Sequence, residues 1–139
     1  LEALLQKSKN PVDCRLIKSE HRQTTVKKRF ISGIQQIFRA DEETPSPLNK
    51  IEEETCLKMV EEALQQAEIL VLSDYGKGLL SETLCKNLIT LAHHLGKMVI
   101  VDPKGKDYTK YQGADCITPN RLELEQATGM NAMTDDNVV

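Results

Sequence analysis

The sequence predicts an α/β fold of parallel βα units, with a β-rich hairpin near its start. Two observations carry this. Apolar runs at 69–72, 98–101 and 114–118 each end in a polar loop, and helix-spaced apolar residues fill 50–67 and 81–95. Helix and strand alternating in this way mark a parallel sheet. The second observation is the stretch 24–40, two β-branched runs separated by Ser32-Gly33, which signals a hairpin with a two-residue loop.

Taken in order, residues 1–7 read as the tail of a helix. Ser8-Lys9-Asn10-Pro11 breaks it, because proline disfavours helix in the residue before it. Residues 12–18 alternate weakly and are expected as a strand. The hairpin follows, then a polar, proline-bearing connector at 41–49. Over 50–67, Cys56, Val60, Ala63, Leu64 and Ala67 form one apolar stripe. Glu52, Glu53 and Glu54 lie near the start of that helix and are expected to be solvated. Ile69-Leu70-Val71-Leu72 is continuously apolar, as expected of a strand buried on both faces. Ser81 is placed to cap a helix reaching 95, with the stripe Leu84, Leu88, Leu91, Ala92 and Leu95 and a stop at Gly96. A buried strand at 98–101, a short helical turn at 107–112 and a strand at 114–118 come next. A helix at 120–128 closes on Gly129, and Thr134-Asp135-Asp136 is expected to cap another.

Composition bounds the function. The 139 residues suffice for one domain with a proper core. Apolar content of 40% and charged content of 28% are ordinary for a soluble globular protein. A net charge of −3 gives no electrostatic case for nucleic acid or an anionic membrane. No apolar run approaches the roughly 20 residues of a membrane span. Cys14, Cys56, Cys85 and Cys116 lie far apart without a C-x-x-C pair. That argues against zinc and against a disulfide framework, and for buried free thiols in a reducing, cytoplasmic compartment. The chain begins on Leu1 and shows no signal peptide, so a piece of a longer protein is expected.

Right-handed crossovers put the carboxyl ends of all three parallel strands on one edge of the sheet, where ligands of open α/β sheets bind. The loops at 73–80, 102–107 and 119–123 therefore share one rim. It carries Asp74, Lys77, Asp102, Lys104, Lys106, Asn120 and Glu123, with Gly76, Gly78 and Gly105 between them. Lysines and free backbone N–H groups suit phosphate oxygens, and carboxylates with an amide suit Mg²⁺ or its waters. Neither a G-x-x-x-x-G-K-[ST] nor a G-x-G-x-x-G fingerprint is present. Each feature has a plainer explanation. Asn120 with Glu123 also reads as a capping box, 74–78 as a solvated turn and Lys104-Gly105-Lys106 as surface charge. His93 and His94 sit at a helix C-terminus and receive no catalytic role.

Ser73-Asp74-Tyr75-Gly76-Lys77-Gly78, Asp102-Pro103-Lys104-Gly105 and Thr118-Pro119-Asn120-Arg121-Leu122-Glu123, in this order and spacing, closely resemble the ribokinase-like (PfkB-type) carbohydrate kinases. Thr24 to Arg29 and Gln35 to Asp41 extend the resemblance, which covers about residues 12–129 and is closest to the heptose 7-phosphate kinases of ADP-heptose synthesis. It implies the central part of a ribokinase-like three-layer fold: one partial kinase domain, 1–139, with a lid-like part at 12–41 and a βα core at 50–139. It implies ATP as co-substrate, Mg²⁺, and phosphorylation of D-glycero-β-D-manno-heptose 7-phosphate at its anomeric hydroxyl, feeding lipopolysaccharide core synthesis. By the family pattern Asn120 and Glu123 organise Mg²⁺ through its waters and Asp102 supports them, with Lys104 on the phosphate side. Asp74, Lys77, Arg29 and Lys27 fall on the substrate side. The family's G-A-G-D catalytic base and its opening glycine-rich sugar-binding region are absent from this sequence, so the chain alone is expected to be inactive. The family's lid also implies a homodimer or other self-association through the β-rich part. A kinase for another phosphosugar, and a non-catalytic α/β binding module, remain the alternatives.

Overall fold

The computed structural model describes residues 13–131. The expected helix tail at 1–7, its break at 8–11 and the cap at 134–136 lie outside the described residues. Two sheets organise the described residues. An antiparallel ribbon pairs β1 (Val26–Ser32) with β2 (Gln35–Glu42). A parallel sheet has the order β3 (Ile69–Ser73), β4 (Met98–Asp102), β5 (Cys116–Ile117).

The ribbon turns one residue later than expected. Ser32 pairs with Gln35, so the loop is Gly33-Ile34. Gly33 has φ 59° while Ile34 stays at negative φ, which fits glycine at the first central position of a II′-type loop. A bulge between Phe30 and Ile31 bends the ribbon, and Phe30 stacks on Phe38 with ring centroids 4.2 Å apart.

Helix α1 (Lys50–Leu64) precedes β3, and α2 (Glu82–His94) precedes β4. A 3-10 turn at Thr109–Tyr111 leads to β5, and α3 (Arg121–Thr128) follows it. The core lies between α1, α2 and one face of the parallel sheet: Leu64, Leu84, Leu88, Leu72, Val99 and Val101 are all buried there. Each such side chain contributes roughly 1.5–3 kcal/mol of hydrophobic stabilisation. Along the α2 stripe Leu84, Leu88 and Ala92 are buried and Leu91 and Leu95 half-buried; on α1, Ala63 is exposed.

Several expectations are corrected. Residues 13–18 form no strand. Side chains hold that segment instead: Arg15 donates to Met59 O (3.3 Å) and Glu62 Oε2 (2.9 Å) on α1, and Ile17 packs against the core. Strand β3 is covered on one face only, because α1 and α2 pack on the same side. Ile69, Val71 and Met98 are exposed on the other face among the described residues. The thiols are not uniformly buried: Cys85 is buried, Cys56 half-buried, and Cys14 and Cys116 exposed. The acidic run is not merely solvated. Glu52 closes a capping box with Asn49, and Glu53 accepts the Ser81 hydroxyl at 2.9 Å. Ser81 Oγ in turn accepts the Leu84 N–H, so one hydroxyl caps α2 and ties it to α1.

Candidate active site

Ser73 pairs with Asp102 at the level ends of β3 and β4, so the loops that follow them begin side by side. The Asp74 N–H donates to Asp102 O at 2.9 Å and continues the ladder one residue into the loop. The loop after β5 opens α3 on the same rim. A cleft of about 610 Å³ lies over this edge. Its floor carries Asp74, Asp102, Lys104, Asn120 and Glu123, and the hairpin contributes Lys27, Arg39 and Asp41.

The expected capping box is present. Asn120 Oδ1 accepts the Glu123 N–H at 2.9 Å, and Glu123 Oε2 accepts the Asn120 N–H at 3.1 Å. Gly129, with φ 69°, ends the same helix. Glu123 is nonetheless 8% exposed, and its other oxygen meets Lys104 Nζ at 2.7 Å. The Lys104 ammonium and the Asn120 N–H hold the Glu123 carboxyl below the usual glutamate range. The same hydrogen bond raises Lys104. At the rim the pair is thus a carboxylate beside an ammonium.

Asp74 is built inward. Its Oδ1 accepts the Gly76 N–H at 2.7 Å; its Oδ2 accepts Lys110 Nζ and the Tyr111 hydroxyl, each at 2.6 Å. Burial opposes its charge, but these donors outweigh burial and hold Asp74 below the ordinary aspartate value. Burial and the Asp74 bond push Tyr111 up to about 12, so its hydroxyl stays a donor at any neutral pH.

Lys77 lines the cleft and pairs with Glu43 Oε2 at 2.5 Å. Its loop is fastened from behind. Arg22 donates to Lys77 O at 3.0 Å and also to Ser46 O. Gly78 lies against the same connector, where a Cβ would stand 2.6 Å from the Ser46 carbonyl carbon.

The structure therefore brings Lys27, Asp74, Lys77, Asp102, Lys104, Asn120 and Glu123 to one cleft. Arg29 is not among its lining residues; its cross-strand partner Arg39 is. Arg39 Nε pairs with Asp41 Oδ1 at 2.8 Å, so this wall is mixed in charge. Sequence reasoning also missed Lys110, Tyr111 and Arg22. Arg39 and Asp41 share a strand face with Lys27, and that alternation was a usable signal; Arg22 had none.

No group of three His, Cys, Asp or Glu among the described residues is placed to hold a metal ion. Both Glu123 oxygens are engaged, and Asp102 Oδ2 accepts the Ser73 hydroxyl at 3.1 Å. Such a donor set fits a cation that keeps its water shell, as Mg²⁺ does, better than one held in a protein cage.

The family profile described as pfkB family carbohydrate kinase matches residues 2–139. The bifunctional protein HldE of Paramagnetospirillum magneticum is 47% identical over 128 residues, covering 92% of this chain and 26% of that protein. HldE of Rhodospirillum rubrum is 47% identical over 119 residues, 86% of this chain and 24% of the relative. HldE of Helicobacter pylori (strain J99) is 48% identical over 104 residues, 75% and 22% respectively. The chain spans about a quarter of the length of these curated relatives. With its profile match, its parallel βα core and its rim of Asp102, Lys104, Asn120 and Glu123, this chain belongs to the pfkB family of carbohydrate kinases.

Proposed function

We propose that this chain forms the phosphate-and-metal rim of an ATP-dependent sugar kinase. Its acceptor is the anomeric hydroxyl of D-glycero-β-D-manno-heptose 7-phosphate, and the product serves ADP-heptose and lipopolysaccharide core synthesis. The observation that supports this best is the Lys104–Glu123–Asn120 constellation beside Asp102, facing hairpin cations across one cleft. In the transfer, the sugar oxygen bonds to the γ-phosphorus. The bond to the β–γ bridging oxygen breaks, and ADP leaves with that electron pair. Lys104 meets the phosphoryl oxygens as a point charge, and the N–H groups opening α3 add positive potential. Glu123, Asn120 and Asp102 would hold Mg²⁺ through its waters. When bound, Mg²⁺ neutralises charge on the transferring group.

On the sugar side, Lys27 meets the 7-phosphate, with Arg39 in the place expected of Arg29. Asp74 supports the rim from beneath. Lys77 is the remaining substrate-side cation. The acceptor hydroxyl must lose a proton, and the 139 residues contain no G-A-G-D to take it. We therefore assign the base to sequence beyond these residues and the chain alone to the inactive state. The need for ATP supports a cytoplasmic site for the reaction. The exposed Phe30–Phe38 ribbon supports a homodimer or other self-association through the β-rich part.

The test is Glu123→Gln in the intact protein, assayed for turnover against Mg²⁺ concentration with ATP and heptose 7-phosphate. A raised Mg²⁺ requirement and at least about tenfold lower kcat are expected, as for loss of a group acting on transition-state charge. Normal turnover with a lower melting temperature would leave Glu123 as a helix cap and overturn the assignment. Turnover by the 139-residue chain alone would overturn its inactivity. Faster turnover of another phosphosugar in the same assay would replace the heptose.

A further inference from the structure

The rim loops are linked by a hydrogen-bond chain that passes through a residue to which the proposed chemistry gives no part. The Tyr111 hydroxyl donates to Asp74 Oδ2 at 2.6 Å and accepts the Lys104 N–H at 3.1 Å. Asp74 holds the loop after β3 through the Gly76 N–H. Lys104, on the loop after β4, reaches Glu123 at the start of α3. One phenol thus joins all three loops. Its ring is buried at 2% exposure in the core beneath them, and Lys110 Nζ lies 4.9 Å above it while pairing with Asp74. Gly76 closes the same contact from the other side: a Cβ there would stand 3.2 Å from Lys104 Cγ.

We propose that Tyr111 is a positioning residue for the phosphate rim. Its hydroxyl fixes the Lys104 backbone against Asp74 and so sets where the Lys104 ammonium stands relative to Glu123. Packing alone does not require the hydroxyl, because the ring fills the core whether or not the oxygen is present. A phenylalanine in its place would leave the Lys104 N–H without its acceptor and Asp74 Oδ2 with Lys110 alone. The Lys104 loop would then sample other positions, and the ammonium would lose its fixed distance to the phosphoryl oxygens. Lys110 acts at one remove, holding Asp74 charged as the acceptor that Tyr111 needs. The inference rests on the reading of this rim as a phosphate site.

The experiment is a double-mutant cycle in the intact protein with Tyr111→Phe and Lys104→Met. Two quantities are read: kcat, and the calorimetric Kd for the magnesium complex of a non-hydrolysable ATP analogue. Tyr111→Phe is expected to weaken analogue binding or lower kcat by about tenfold, the scale of one buried hydrogen bond. In the Lys104→Met background the same change is expected to have no further effect, because Tyr111 acts through Lys104. If Lys104→Met impairs the protein but Tyr111→Phe does not, or if the two effects multiply, the positioning role is overturned and the phosphate reading stands. If Lys104→Met changes neither quantity, the phosphate reading itself fails. Should Tyr111→Phe not fold, Asp74→Ala removes the acceptor of the same bond, and the cycle is repeated with it. If neither variant folds, the hydroxyl is structural and the proposal is overturned.

Discussion

Glycine 78 shows how a single residue positions the site. Its φ of 84° favours a residue without a side chain, and its Cα faces the Ser46 carbonyl too closely for a methyl group. Alanine there must displace backbone rather than a flexible side chain. Gly78→Ala is expected to destabilise the protein by about 1–3 kcal/mol, the scale of a strained backbone position, as measured by urea unfolding. A variant as stable as the parent would show that the connector at Ser46 yields freely. The sequence marked Gly78 only as a turn residue, because the need for glycine comes from a neighbour 32 positions away in the chain. Arg22 was invisible for the same reason. Its guanidinium reads two backbone carbonyls, at Ser46 and Lys77, that no local pattern places together. Glu123 was legible twice, as a cap and as a rim carboxylate, and both descriptions hold in the structure. The cap was written in the three-residue spacing to Asn120, whereas the Lys104 contact needed the strand order.

Elements with strong periodicity and clear caps were the most legible. Helices α1, α2 and α3 follow from their stripes and from Ser81, Asn120 and Gly129; the Asn49–Glu52 box went unnoticed beneath an apparently uninformative acidic run. The 13–18 segment misled because weak alternation without a pairing partner is not a strand. Its backbone is held by Arg15 and Ile17 instead. The hairpin was legible as an element, but its exposure was not. Every residue of β1 is exposed, and a two-stranded ribbon is marginal in water unless something covers it. Phe30 and Phe38 are 45% and 53% exposed while stacked on each other. Self-association through this ribbon predicts that Phe38→Ser weakens it at least about tenfold, since a buried aromatic pair contributes ~0.5–1.5 kcal/mol beyond its area. Sedimentation velocity across a concentration series reads the effect. An unchanged association constant would move the interface elsewhere.

For the molecule as a whole, the parallel order of β3, β4 and β5 was the decisive inference from sequence, because it alone collects distant loops on one edge. What strand order cannot express is which charges turn inward. Asp74 lines the rim cleft as expected, and it is also a nearly buried anchor, which strand order does not reveal. Its folded value lies below the ordinary 3.8 of an aspartate, so its ion pair stabilises the protein fully above that value. As pH falls below about 3.8 the unfolded carboxyl protonates first, and the stabilisation disappears as the folded one follows. Chemical denaturation between pH 7 and pH 3 should therefore show stability falling at the acid end. Asp74→Asn should flatten that part of the profile; an unchanged slope would remove Asp74 from the acid response.

The capping box at Asn120 carries a consequence for how ligands are felt. Glu123 Oε2 satisfies the first turn of α3 while Oε1 holds Lys104. Anything that draws this carboxylate toward a hydrated cation alters the end of a helix in the same motion. Metal affinity and local helix order then become one equilibrium observed from two ends. If Glu123 serves the proposed Mg²⁺ site, saturating Mg²⁺ should speed amide exchange at Asn120, and strengthening the cap should, by reciprocity, weaken the metal.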